Sequence, residues 1–206
     1  MSDLMKTALT QALGIDVPLI CGAMYPCTNP ELVAAVSEAG GIGIVQPMSL
    51  EFVHKHDYRE GLRLIKRMTD KPFGVNLILE KSAKIYEDRV RKWLEISLEE
   101  GVRFFVTSLG KPDEVVKRAH AAGALVYHDI TERKWAERAI AGGVDGLICV
   151  NSRAGGHAGE LSDVELIKTC SDLGLPLVCA GGVGGEQDFI DALELGYAGV
   201  QMGTRF

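Results

Sequence analysis

The sequence is notable first for what it does not contain. It has no apolar run of about 18 residues, the length needed to cross a bilayer, and its opening residues Met1 to Lys6 do not form a signal peptide. Together these absences set the expectation of a soluble cytoplasmic protein without a membrane partner. No basic stripe appears, and 22 Lys and Arg against 28 Asp and Glu leave a net charge of −6. Nucleic acids and anionic surfaces need a basic face, so neither is expected as a partner. There is no Cys-x-x-Cys pair. The cysteines Cys21, Cys27, Cys149, Cys170 and Cys179 are odd in number, and three lie in apolar runs, as reduced buried thiols do. That excludes a disulfide frame and a cysteine zinc site. His54 and His56 resemble a metal pair only in spacing, sit in a polar connection, and no metal is expected. Linker-like and low-complexity stretches are also missing, so residues 1–206 are read as one domain.

What is present is an alternation sustained along the whole chain. Short runs rich in Val and Ile, at 18–24, 42–46, 73–79, 103–108, 124–130, 146–150, 176–180 and 198–202, are separated by amphipathic stretches. The stretches 30–39, 59–68, 85–100, 113–122, 132–141, 163–173 and 186–195 read as helices, most closed by a glycine that turns the chain into the next run. Asn29 before Pro30 gives a cap and a first-turn proline, and Ser162 and Thr131 are available as further caps. Repeated βα units make a parallel sheet. Eight strands and seven helices predict an α/β fold, a (β/α)8 TIM barrel that stops after its eighth strand with the last helix missing. A partner copy covering the flank of strand 8 would supply the missing cover. The competing open doubly wound sheet lacks its glycine fingerprint, because Cys21-Gly22-Ala23-Met24 stands where that motif belongs.

In a barrel the chemistry sits where strands end at their carboxyl side. The stretch 146–160 leads from an apolar run into a loop carrying His157, with Gly155, Gly156 and Gly159 around it. A lone loop histidine also serves as a solvent-exposed or capping residue, but flanking glycines let backbone or a flat ligand approach the imidazole closely. Gly181 and Gly182 follow the seventh run, and Gly203 and Thr204 follow the eighth. Glycines in both loops expose N–H groups to a phosphate, and the Thr204 hydroxyl adds a donor. Gly22, Ala23 and Met24 after the first run leave room for a planar ring. Asn76 is a polar side chain in an apolar run, and its partners are either ligand atoms or backbone. Gln46, His128 and Asp129 close the second and fifth runs at the same mouth, His128 being counted among the cofactor contacts and Asp129 serving either the mouth or the cap of the next helix.

Gly22-Ala23-Met24, Gly74-Val75-Asn76-Leu77, the glycine-flanked segment 154–159, Ala180-Gly181-Gly182-Val183 and Met202-Gly203-Thr204-Arg205-Phe206, in that order, resemble the nitronate monooxygenase family, formerly the 2-nitropropane dioxygenases. The resemblance covers essentially the whole chain, and the pattern is shared with flavin-dependent enoyl-acyl carrier protein reductases. It implies a barrel that binds FMN, with the phosphate in the loops after strands 7 and 8 and His157 over the flavin as the catalytic base. It implies oxidation of nitronates or nitroalkanes by O2 to a carbonyl compound and nitrite. The alternatives are an NAD(P)H-dependent flavin reductase of an enoyl thioester or quinone, and a non-catalytic barrel that binds a phosphate-bearing ligand. Family members run on beyond the segment that ends at Phe206, so the chain is expected to be C-terminally truncated relative to them.

Overall fold

The structure is a computed structural model describing residues 4–80 and 82–206. Its strands are β1 (Leu19–Cys21), β2 (Ile42–Val45), β3 (Gly74–Ile78), β4 (Phe104–Ser108), β5 (Leu125–Ile130), β6 (Gly146–Val150), β7 (Leu177–Ala180) and β8 (Gly199–Met202). All are parallel and they close in chain order into an eight-stranded barrel. Closure is made by β8 against β1, where Ile20 lies beside Gln201 and Cys21 beside Met202. The expected (β/α)8 barrel is therefore the architecture observed.

The helices are α1 (Ala8–Leu13), α2 (Pro30–Glu38), α3 (Tyr58–Met68), α4 (Lys84–Glu99), α5 (Asp113–Ala121), α6 (Arg133–Ala141), α7 (Asp163–Cys170) and α8 (Glu186–Glu194). Seven match the helices expected from the sequence, and α1 is an addition. Its six residues are too short for a periodic signal. It is held instead by reciprocal side-chain bonds between Thr7 and Thr10 that satisfy N–H groups the helix cannot bond itself. Asn29 caps α2 with Pro30 in its first turn, and Ser162 forms a reciprocal box with Glu165 on α7. Thr131 does not cap: α6 begins after Glu132 with no side-chain cap. The glycines expected to end helices do so, with positive φ at Gly40, Gly101, Gly123, Gly143, Gly174 and Gly196.

Strand side chains alternate between two apolar layers. Val45, Val75, Phe105, Val126, Leu147 and Val200 point outward and pack with the helices. Ile20, Ile44, Phe104, Tyr127, Ile148 and Val178 point inward and fill the lumen, where Leu9 of α1 and Ile15 join them. The short first helix thus plugs the barrel end at which the strands begin. Both faces of every strand are covered, which is why the runs read as continuous rather than alternating. Each fully buried aliphatic side chain contributes about 1.5–3 kcal/mol. Val200 and Met202, on the helix side of β8, are buried by this chain itself. Trp93 is buried and donates to Glu51 Oε2 at 2.8 Å. Trp135 is exposed beneath the cations of Lys134 and Arg138.

Candidate functional site at the barrel mouth

The lumen is apolar for most of its depth and changes character at the carboxyl ends of the strands. Inward alternation above Ile44, Val106, Tyr127 and Ile20 brings Gln46, Ser108, Asp129 and Gly22 to the top. Asn76 joins them beside Val106, and Gln201 lies level with Ile20 and Ala180. The mouth is therefore ringed by amide, hydroxyl and carboxyl groups. Gln46 Oε1 is used locally, accepting from the Ser49 N–H at 3.1 Å. A Cβ on Gly22 would stand 3.0 Å from Gln201 Cγ, so Gly22 is what lets this amide rise beside β1. Ala23 and Met24 are partly exposed above it, and Met24 lies against Gly203.

The loop after β7 is built around two glycines that no other residue would fit without strain. Gly181 has φ of 118° and Gly182 of 74°. A Cβ on Gly181 would meet Asn151 Oδ1 at 2.4 Å and the Ala154 backbone nitrogen at 2.7 Å. Asn151, fully enclosed at the top of β6, donates to Gly181 O and accepts from the Arg153 N–H, each at 2.8 Å. This one side chain ties the loop after β6 to the loop after β7. Arg153 lies across Gly182, its Nε 2.4 Å from where a Cβ would be, while Nη2 pairs with Asp163 at 3.2 Å. On β8 the chain continues through Gly203 and Thr204. The N–H groups of Gly182, Gly203 and Thr204 donate to no backbone acceptor among the described residues. A cation, free amides and a hydroxyl thus converge, which is the donor set an anionic phosphate needs.

His157 stands on an excursion from β6 whose two ends are joined, since the Ser152 N–H donates to Leu161 O at 2.8 Å. Gly155 packs against Thr204, where a Cβ would come within 2.5 Å of Oγ1, and Gly159 passes over Val150 O. Gly156 has open space beside it. The histidine loop therefore rests on the end of β8, while the imidazole is exposed and makes no hydrogen bond among the described residues. Gly155 meets Thr204, and Gly181 and Gly182 lie against Ala154 and Arg153 of the same loop, while Gly156 and His157 extend from it.

His128 is not brought to the mouth. It lies level with Thr107 and Leu147 on the helix side of the sheet, where the Thr107 hydroxyl meets Nδ1 at 2.8 Å. Desolvation there lowers its pKa to about 4, so it is a neutral packed imidazole. Its neighbour Asp129 takes the inward position, beside Ile148, and caps no helix. Burial pushes the Asp129 carboxyl up to about 7, and Oδ1 is enclosed without a hydrogen-bond partner among the described residues. Cys149 and Cys179 are buried on the helix side, with Cys179 pushed up to about 12, and neither is a nucleophile. No His, Cys, Asp or Glu cluster among the described residues could hold a metal.

Sequence reasoning passed over Asn151, Arg153 and Gln201. A polar residue directly after an apolar run was the available signal for the first; the other two become visible only once β6, β7, β8 and β1 are side by side. Two depressions of about 520 and 550 Å³ lie at the opposite end, where the strands begin. The first is lined by Lys66 and Glu100, which pair with each other, and by Arg103, which is satisfied by backbone carbonyls. The second is largely apolar. Neither gathers groups with chemistry to perform, and the mouth remains the candidate site.

The chain is 33% identical over 206 residues to a Mycobacterium tuberculosis protein named (3aS,4S,5R,7aS)-5-hydroxy-7a-methyl-1-oxo-octahydro-1H-indene-4-carboxyl-CoA dehydrogenase, a match covering 98% of this chain and 56% of that protein. It is 29% identical over 245 residues to a nitronate monooxygenase of Pseudomonas aeruginosa, covering 98% of this chain and 69% of the relative. Among solved structures, FabK from Thermotoga maritima superimposes with a TM-score of 0.83 at 31% identity, over 97% of this chain and 62% of that one. The chain thus spans a little over half the length of the mycobacterial relative. Residues 6–206 match the profile of the nitronate monooxygenase family, whose members are oxidoreductases, and this chain belongs to that family.

Proposed function

We propose that the mouth binds FMN and that the protein is a flavin-dependent oxidoreductase taking electrons from a carbon acid. The observation that supports this most is the meeting of three loops: the positive-φ glycines after β7 and the free amides after β7 and β8, Arg153 laid across Gly182, and Gly155 of the His157 loop resting on Thr204. The residues present fit the cofactor. Gly181, Gly182, Gly203, Thr204 and Arg153 would hold its phosphate; Gly22, Ala23, Met24 and Asn76 would face its ring; and Gly155 and Gly156 would let the histidine loop close over it. His128, on the other face of the sheet, is given no such part. When bound, FMN supplies the electron sink.

The chain's own contribution is to position, exclude water and move one proton. His157 takes the proton from the carbon next to an electron-withdrawing group onto an imidazole nitrogen, a task suited to a side chain whose ordinary pKa lies near neutrality. For a nitroalkane this gives the nitronate, and the electrons leave finally to O2, yielding a carbonyl compound and nitrite. Family membership favours this substrate class. A second reading is favoured by identity: the mycobacterial relative, whose name makes it a carboxyl-CoA dehydrogenase, is more similar to this chain than the Pseudomonas nitronate monooxygenase is. A thioester α-carbon is also a carbon acid, and His157 would serve it identically. Anaerobic bleaching of bound flavin by a nitronate, by an acyl-CoA or by NADH distinguishes the two readings from an NAD(P)H reductase. In the reactive case His157→Ala should keep FMN and lose about 10² in turnover or more. Unchanged turnover would remove His157 from the mechanism, and a protein that takes up no FMN would overturn the cofactor assignment.

A further inference from the structure

We propose that Asp129 is a ring-contacting residue: its carboxyl, on the inner face of β5, pairs with the pyrimidine edge of the flavin, donating to a ring carbonyl oxygen and accepting from the adjacent ring N–H. The inference rests on the FMN reading above and adds to it a residue on the far side of the mouth from the phosphate loops.

Placement comes from register. Asp129 lies beside Ile148 of β6 and two residues above Tyr127, both of which fill the lumen. Gln46, Asn76, Ser108 and Asp129 occupy consecutive strands from β2 to β5, an arc that faces the β7–β8 loops across the barrel. A ring tethered at β7 and β8 by its phosphate and extended over the mouth reaches this arc.

The second observation is an unmet bond. Oδ1 of Asp129 is enclosed and has no hydrogen-bond partner among the described residues. Buried polar groups in folded proteins are nearly always paired, and leaving one unpaired is costly. Among the described residues no counter-charge acts on it, burial being the one cause of its shift. β4 turns Val106 and Ser108 toward the lumen and β6 turns Ile148 and Val150; none is charged. Tyr127, below it on β5, is neutral because burial pushes its phenol up to about 12, and His128 faces the helices. Of the ionisable groups on the loop above, His157 is exposed and Arg153 is paired with Asp163. With no cation to hold the ionised form, desolvation alone acts on the carboxyl, which therefore keeps its proton to about pH 7. A protonated carboxyl offers one donor beside one acceptor. A flavin pyrimidine edge presents the complement, an N–H flanked by carbonyl oxygens. An unpaired carboxyl at a ligand mouth has the character of a group held for a partner rather than for the fold.

The test is FMN titration of apoprotein, followed by flavin fluorescence and by the bound absorbance spectrum, for wild type, Asp129→Asn and Asp129→Leu at about pH 6 and about pH 8.5. Asparagine keeps a donor and an acceptor at every pH; leucine has neither. Asp129→Leu should weaken binding about tenfold at the lower pH and shift the bound spectrum, as expected for losing one or two hydrogen bonds. The ratio of wild-type to Asp129→Asn Kd should rise about tenfold between the two pH values as the wild-type carboxyl loses its proton. Taking that ratio cancels the ionisation of the FMN phosphate, which both proteins share. Equal Kd values, spectra and pH dependence in all three would overturn the Asp129 assignment while leaving the FMN reading intact. A wild type that binds no FMN would overturn both. If the leucine variant does not fold, the asparagine ratio alone decides.

Discussion

The two ends of this barrel are built from the same eight strands and obey opposite rules. Where the strands begin, Leu9 and Ile15 close the lumen with aliphatic side chains, and the charged groups nearby, such as Lys66 and Glu100, are paired. Where they end, the lumen carries Asn76, Asp129 and Gln201, the backbone holds positive φ at Gly181 and Gly182, and one carboxyl oxygen has no partner among the described residues. The first end is organised for stability, the second for a ligand, and the apolar middle separates them. The division also explains why concavity alone is a poor guide here. The depressions at the stable end are gaps between helices, while the mouth is marked by unsatisfied chemistry.

The largest expected effect comes from breaking the ligand end without touching the other. Gly182→Asp places a carboxylate beside the proposed phosphate position and against Arg153; the positive φ at this position strains that loop alone, so the barrel should survive while FMN retention is abolished. A variant that still purifies with flavin would place the phosphate elsewhere. The reverse experiment is Leu9→Ala at the plug, a fully enclosed side chain whose truncation should cost about 3 kcal/mol in urea unfolding. FMN affinity should stay within about twofold, because additivity holds between distant sites; a large loss of affinity would show that the two ends are coupled. The smallest effect sharpens the boundary between lumen and helix layer. His128 has a folded pKa depressed from 6.5 to about 4, so the unfolded chain takes up its proton first as pH falls. Its contribution to stability is present above pH 6.5 and is lost as pH falls toward 4, by about 3 kcal/mol. His128→Gln should unfold with a flatter acid dependence than wild type, with no change in FMN binding. If acid dependence is unchanged, the imidazole is not enclosed as described; if flavin binding falls, it reaches the mouth after all.

How much of this was legible in the sequence depends on the distance over which each signal acts. All eight strands and seven helices were readable, because apolar runs, caps and terminal glycines are written in neighbouring residues. The glycines after β7 and β8 and the loop carrying His157 are readable for the same reason. α1 was not, since six residues held by a Thr7–Thr10 exchange leave no periodicity. His128 was assigned to the wrong face for a deeper reason. In a strand covered on both sides, such as Leu125–Ile130, the usual alternation of polar and apolar residues disappears, and only the register against β4 and β6 shows which residues look inward. Parity with Tyr127, two residues before it, is what places Asp129 in the lumen; its proximity to Thr131 decides nothing. Asn151 and Arg153 are defined by what they meet across 28 to 30 residues of chain, and no local pattern announces that.

The bond between Ser152 and Leu161 makes the histidine loop a cassette. Its ends sit together before any of its interior is specified, so residues can be added or exchanged between them at an entropic cost that grows only with the logarithm of loop length, while β6 and α7 keep their positions. A lineage could in this way retune what lies above the mouth while inheriting the loops after β7 and β8 unchanged, which is one physical route by which the relatives of one chain come to include proteins named a nitronate monooxygenase and a carboxyl-CoA dehydrogenase.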